Sequence, residues 1–131
     1  MKVLAKKINE KAKLIDLDCK LKTLQQFVGG YIEIPFISEE LSEKNILVIS
    51  NENAILENLP PTLGFADKNT GEILEGFLFG QVLFTSEDDE GNIIGLTDEQ
   101  IEFIKDRILS EEILLMETGS NREIKIEILL V

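Results

Sequence analysis

Four residues in the first half of the chain have side chains suited to recognising a small ligand. Tyr31 is the only tyrosine, and its ring could stack on a nucleobase. Asn51 and Asn53 carry both donor and acceptor groups, with which they could read a base edge or a ribose. Thr62 follows two prolines that favour an extended backbone. We therefore predict that these four residues contact a ligand, although turn chemistry also explains the asparagines and a rim or core position also explains the tyrosine.

The chain has few groups that could bind a phosphate. Its 13 lysines and arginines face 25 acidic residues, for a net charge of −12, and Arg107 and Arg122 are the only arginines. A guanidinium matches phosphate geometry, so we predict that these two residues would counter a ligand phosphate. Such an acidic chain lacks the basic surface of a nucleic-acid-binding protein and should be repelled by anionic membranes. The acidity itself indicates either solubility or a decoy that presents DNA-like charge to a nucleic-acid-binding protein.

Most nucleophile and metal chemistry is excluded by residue types that the sequence lacks. Histidine is absent and Cys19 is the only cysteine, so one chain cannot form a disulfide, a Cys/His zinc site, or a Ser-His or Cys-His pair. The acidic run 87–90 lacks the alternating ligands of a calcium loop, and a solvated turn is the better interpretation. We predict no catalytic residue, no metal and no cofactor. A pair of acid–base carboxylates depends on distance in space and stays an open alternative.

Two helices are predicted from apolar spacing and capping signals. The first spans Lys20–Val28, with Asp18 as its expected N-cap. Gly29-Gly30 ends it, because glycine adopts the left-handed conformation that follows many helices. A phosphate loop would instead run from a strand into a helix. The second helix spans Thr97–Leu109 and begins with a capping box formed by Thr97 and Gln100.

The strands are predicted from alternation or from short apolar runs. They are Val3–Ile8, Lys13–Leu17, Tyr31–Ile37, Ile46–Ser50, Gly76–Thr85 and a C-terminal strand beginning at Ile124. Gly80 interrupts the fifth of these strands and suggests a bulge or a close backbone approach. Pro35 lacks an N–H and favours an edge or a bulge, and the polar segment Ser38–Asn45 is expected to be a loop. Since helices and strands do not alternate regularly, we predict one α+β domain spanning 1–131, with a mixed, mainly antiparallel sheet and two helices packed on it. The apolar residues Ile128–Val131 suggest an unprotected strand, so we also expect a homo-oligomer.

Several segments together resemble a family of small domains of unknown function, number three-eight-four-six. The segments that carry the resemblance are VGGYIE at 28–33, NEN at 51–53, LPP at 59–61, the run 73–84 and LTDEQI at 96–101. The resemblance covers roughly residues 1–110. It implies a phage, plasmid or other mobile-element protein that is made inside a bacterial cell. It supplies no catalytic residues.

The functional prediction combines these observations. We expect a non-enzymatic accessory protein that counters bacterial defence by sequestering a small nucleotide-like immune signal. The alternative is an acidic decoy or inhibitor of a host protein, and a carboxylate-based hydrolase is the third class. With neither a signal-peptide pattern nor 18 consecutive apolar residues, we expect it in the cytoplasm of the bacterial host.

Overall fold

A computed structural model describes the backbone of residues 1–117 and 120–131, and the side chains of residues 1–109 and 124–131. Within these residues the chain forms three helices and ten strands. In chain order they are β1 (Lys2–Lys6), β2 (Lys13–Asp16), α1 (Leu21–Val28), β3 (Ile32–Glu33), α2 (Glu39–Glu43), β4 (Ile46–Asn51), β5 (Pro61–Ala66), β6 (Ile73–Phe79), β7 (Val82–Glu87), β8 (Ile93–Ile94), α3 (Asp98–Arg107), β9 (Ile108–Glu117) and β10 (Ser120–Leu130). Mainly antiparallel sheets with helices make this an α+β fold, as predicted.

The first sheet has the strand order β2-β1-β7-β4-β3, with β8 also paired to β7. Successive side chains of a strand point to opposite faces, and β1 shows the consequence. Val3 packs with Leu24 of α1 on one face, whereas Leu4 packs with Phe84 in the main core on the other. The first sheet is therefore covered on both faces.

The second sheet has the order β6-β5-β10-β9, and its β5–β10 pair is parallel. Leu63 of β5 and Leu129 of β10 are fully buried in the main core. Ile101 and Ile104 of α3 belong to the same cluster, so α3 and the second sheet cover one face of the first sheet. Each such buried side chain contributes about 1.5–3 kcal/mol. The prediction described one sheet, but the structure has two.

Helix α3 confirms the capping box. The Thr97 hydroxyl accepts from the Gln100 N–H at 3.2 Å, and the Gln100 carbonyl oxygen accepts from the Thr97 N–H at 2.9 Å. The helix ends at Arg107 rather than at Leu109, because the backbone of Ile108 is extended and opens β9. At α1 the predicted N-cap was wrong: Lys20 is the cap residue, and Asp18 accepts from its N–H instead.

Three further predictions from local pattern were wrong. Only Ile32–Glu33 of the predicted strand Tyr31–Ile37 pairs with β4. The predicted loop Ser38–Asn45 contains α2, which begins where the Ser38 hydroxyl accepts from the Leu41 N–H at 3.2 Å. The predicted strand Gly76–Thr85 is two strands in different sheets, separated by Gly80 with a left-handed φ of 75°.

The C-terminal strand exists as predicted, but it is not an unprotected strand. β10 lies between β5 and β9, paired to both. Its residues Ile128 and Leu129 are apolar because they enter two different buried clusters on the two faces of the sheet. This segment therefore no longer supports the prediction of a homo-oligomer.

Lys6 is fully buried and fastens the β1–β2 turn to the second sheet. Its Nζ donates to the carbonyl oxygens of Lys7 at 2.9 Å, Lys125 at 3.4 Å and Glu10. The buried Glu127 carboxylate accepts from the N–H of Ala12, in the same turn. Desolvation lowers the pKa of Lys6, against the opposing effect of the nearby carboxylates. Sequence reasoning missed this residue, since lysine is rarely fully buried.

Candidate functional site

Tyr31 stands at the edge of the first sheet, on a backbone held from two directions. Helix α1 ends at Gly29, whose φ is 86°, and the chain turns directly into β3. The Tyr31 carbonyl accepts from the Glu52 N–H at 2.9 Å, which places the turn after β4 beside it. The Tyr31 side chain is 68% exposed, so its ring is free to contact another molecule.

Asn51 lies next to Tyr31, but its amide group is already occupied. Its Nδ2 donates to the Val28 carbonyl at 3.1 Å and to Glu57 Oε2 at 3.3 Å, and its Oδ1 accepts from the Asn53 N–H at 2.8 Å. Asn51 is buried and joins the end of α1 to β4. Asn53 is half-buried in the turn that this bond forms. The geometry gives Asn51 a structural role.

Thr62 is also used internally. Its side chain is fully buried, and its hydroxyl lies 2.7 Å from the Gly80 carbonyl oxygen and 3.3 Å from that of Leu78. These contacts join β5 to the end of β6. The hydroxyl is therefore turned away from solvent and from a ligand at the surface.

Arg107 lies elsewhere, in a cluster of charges on α3 and α2. Its guanidinium contacts both carboxylate oxygens of Glu40, at 2.8 Å and 3.4 Å, and Lys68 Nζ lies 3.3 Å from the same carboxylate. Desolvation raises the pKa of Glu40, but the hydrogen bonds from Arg107 and Lys68 outweigh it and hold this pKa below its ordinary value. The Arg107 guanidinium also lies 4.8 Å from the centre of the Phe103 ring. The Arg122 side chain is outside the described residues.

The predicted ligand residues thus do not form one pocket. Tyr31, Asn51 and Asn53 come together, whereas Thr62 faces inward and Arg107 pairs with Glu40. The pocket lined by Asn51 has a volume of about 80 Å³. Sites for drug-sized ligands usually measure roughly 300–1,000 Å³, so this depression is too small to enclose a nucleotide.

What sequence reasoning missed is an apolar surface at the β3 edge. We call the exposed large side chains there the edge surface, which consists of Tyr31, Ile34, Phe36, Ile55, Leu56 and Phe77. Phe36 is 72% and Leu56 is 82% exposed, which is far from the burial that such side chains normally reach. Glu33, Ile55 and Phe77 line one shallow depression, so β3, the turn after β4 and β6 meet on this surface. The sequence signal that could have indicated this surface is Pro35, because a proline in a strand predicts an edge position.

A groove opens from the edge surface toward the core. It lies between the segment 34–37 and β4, is closed at one end by Leu41 and Ser42 of α2, and has a volume of about 190 Å³. The β3–β4 ladder holds two residue pairs, Ile32 with Asn51 and Glu33 with Ser50. Continuing that register would put Pro35 opposite Val48. Because proline has no N–H, it cannot donate to β4, which explains why the ladder stops and the groove begins.

The acidic run 87–90 forms a turn organised by Asp88. Its Oδ1 accepts from the N–H groups of Glu90 and Asn92, at 3.0 Å and 2.9 Å. Hydrogen bonds from the Asn92 side chain and from these backbone groups lower the pKa of Asp88. Among the residues whose side chains are described, no group of three or more His, Cys, Asp or Glu is placed to hold a metal ion. No described helix is both long and apolar enough to cross a membrane.

The fold defines a small α+β protein of two sheets. Its described surface carries exposed apolar side chains beside exposed carboxylates. The family model described as Domain of unknown function (DUF3846) matches residues 1–109, and the chain belongs to that family. The predicted resemblance is thereby confirmed. Neither a curated protein nor a solved structure matches the chain.

Proposed function

We propose that this protein is non-enzymatic and acts by binding another protein through the edge surface. The observation that carries the proposal is the exposure of six large apolar side chains in and around β3, in the turn after β4 and on β6. Contiguous apolar surface on a protein that remains folded is typical of interaction sites. Three of the six side chains are aromatic, namely Tyr31, Phe36 and Phe77. Aromatic side chains often contribute much of the binding energy at protein interfaces.

The charge around the edge surface supports a basic partner. Between Gly30 and Ala66 the sequence holds six glutamates and one lysine, Lys44. Glu33 and Glu52 are exposed within the edge surface region, and Lys44 lies instead at the Phe103 ring, 4.7 Å from its centre. An apolar centre with an acidic rim suits a partner with an apolar centre and a basic rim. The setting implied by the family resemblance, a mobile element in a bacterial cell, would make this partner a host protein.

The geometry supports this decoy-like alternative better than the small-ligand sponge. The amide of Asn51 and the hydroxyl of Thr62 are occupied by internal hydrogen bonds, and Arg107 is occupied by Glu40. A sponge would need these groups directed into an enclosed cavity. Sequestration of a nucleotide-like signal stays a prediction that titration calorimetry with such compounds would test.

Affinity purification followed by calorimetry tests the proposal. The immobilised protein is incubated with bacterial lysate at low and at high salt, and a retained protein is identified and purified. We expect Phe36→Ser to weaken binding of that purified protein at least tenfold, and high salt to weaken it as well. Leu21→Ser is the matched control, because Leu21 is likewise a large exposed apolar residue, at 57%, but lies at the start of α1. Equal weakening by both variants, or a retained partner without a basic surface, would contradict the proposal.

A further inference from the structure

We infer that the partner is recognised as an extended, basic chain segment that inserts one large apolar side chain into the groove between residues 34–37 and β4. This inference rests on the proposed function and specifies the partner of the same surface. It follows from the shape of the groove, from the backbone of β4 and from the charges at its two ends.

The groove matches a single apolar side chain in size and lining. Its volume of about 190 Å³ is too small for a folded element. Ile34, Ile37 and Leu41 on one side and Val48 on the other give it an apolar wall. Ile34 and Phe36 are both exposed at its mouth, so the groove is continuous with the edge surface. A buried apolar anchor of this kind usually contributes most of the energy of an interface.

The backbone of β4 favours an extended occupant. In an antiparallel ladder, hydrogen-bonded and non-hydrogen-bonded pairs alternate. The Tyr31 carbonyl accepts from the Glu52 N–H, so Glu33–Ser50 and then the position of Val48 are hydrogen-bonded sites facing β3. In the continued register Pro35 would fall opposite Val48, and proline has no N–H to donate to it. An extended segment brings the N–H groups that Pro35 lacks, as in strand addition to a sheet edge.

Carboxylates before and after the lining segment 34–37 specify the charge of the partner segment. Glu33 immediately precedes the lining segment and Glu39 follows it at the start of α2, and both are exposed. Glu33 and Glu39 are six positions apart, and an extended chain spans six positions in roughly 20 Å. Lysine or arginine about three positions to either side of the anchor would therefore meet one carboxylate each. The occupant is a basic segment with an isolated Leu, Ile, Met or Phe between two such basic residues.

Selection from a displayed library of random 12-residue peptides tests the inference. The enriched peptides are synthesised, and their affinities are measured by fluorescence polarisation against the full chain. We expect enriched peptides to combine one large apolar residue with flanking Lys or Arg. Ser42→Phe should fill the groove and weaken binding at least tenfold, whereas Ser42→Ala at the same exposed position should change it less than twofold. The double variant Glu33→Lys, Glu39→Lys should also weaken binding tenfold or more, and denaturation midpoints verify that each variant is folded.

The outcomes separate this inference from the proposed function. Suppose that the purified partner binds the wild type with an affinity that Phe36→Ser lowers and Ser42→Phe leaves unchanged. In that case the edge surface is the binding site and the groove assignment is wrong. Enriched peptides without basic residues, or the absence of any enrichment, also overturn the groove assignment. If no partner is retained in the earlier experiment and yet basic peptides bind in the groove, the inference stands and the edge surface has to be reassigned to peptide binding alone.

Discussion

At the scale of single residues, the buried side chain of Lys6 should contribute to stability through its hydrogen bonds to the β1–β2 turn and to β10. Replacement by methionine removes the donor for three carbonyl groups and a positive charge that interacts with Glu127. Leaving buried polar groups without their partner costs about 3 kcal/mol or more. We expect Lys6→Met to lower the free energy of unfolding by about 3 kcal/mol in urea denaturation. Lys11→Met, at an exposed site in the same turn, should change it by less than about 0.5 kcal/mol.

The same lysine should make stability depend on pH in the alkaline range. Desolvation lowers the pKa of Lys6 in the folded state below the ordinary 10.5, so the folded protein releases this proton first. Between the lowered pKa and 10.5 the unfolded chain binds more protons, and stability therefore rises with pH. We expect the stability difference between wild type and Lys6→Met to grow in favour of wild type from pH 7 toward pH 10.5. A difference that stays constant across this range would show that burial does not perturb the lysine.

The capping box of α3 gives a smaller, local effect. Thr97→Ala removes the acceptor of the Gln100 N–H and should cost about 0.5–2 kcal/mol. Thr97→Ser keeps the hydroxyl and serves as the control, with a cost well below that of alanine. Chemical denaturation of both variants provides the measurement. Equal midpoints for wild type and Thr97→Ala would mean that the cap contributes nothing to stability.

At the scale of elements, the second sheet depends on residues beyond the span of the family match. The family model ends at residue 109, but β5 pairs with β10 from Leu63–Glu127 to Ala66–Leu130. Leu129 is fully buried in the main core. We expect a chain shortened to residues 1–109 to lose cooperative unfolding in circular dichroism melts, because a buried β5 would lose its neighbour. A sharp transition for the shortened chain would show that the first sheet folds alone.

Local signals predicted elements well, whereas long-range pairing did not follow from them. The capping box and the left-handed glycine after α1 depend on neighbours within a few residues, and both were confirmed. The predicted strand Tyr31–Ile37 has the right alternation, but a strand needs a partner, and Pro35 breaks the ladder with β4. Gly80 marked an interruption of the apolar run from Gly76, but the local pattern did not show that the two halves belong to different sheets.

The candidate site was predicted less well than the fold, for a related reason. Residue type shows that Asn51 and Thr62 can bind a ligand, but not that a carbonyl more than fifteen positions away already occupies each of them. Exposure of Phe36 and Leu56 depends on which faces other segments cover. Such information resides in tertiary contacts, and no local window of sequence contains it.

At the scale of the whole molecule, we still predict a homo-oligomer, but the strand on which the prediction rests is now β6 instead of β10. β6 is an edge of the second sheet, and its apolar residues Ile73 and Leu74 are exposed. Exposed apolar edge strands invite pairing with another copy. We expect light scattering at micromolar concentrations to give a mass above the 14.8 kDa of one chain, and Leu74→Lys to return it to that value. Leu21→Lys, a charge placed on α1, should leave the mass unchanged. A wild-type mass of 14.8 kDa would contradict self-association.

The parallel pairing of β5 with β10 has a consequence for how the protein is made. Leu63 is synthesised about sixty positions before its partner Glu127. At roughly 5–20 residues per second, β5 waits about 3–12 seconds with one edge unpaired. The second sheet therefore cannot be completed until β10 has also been synthesised. During this interval the unpaired edge of β5 is open to pairing with other chains.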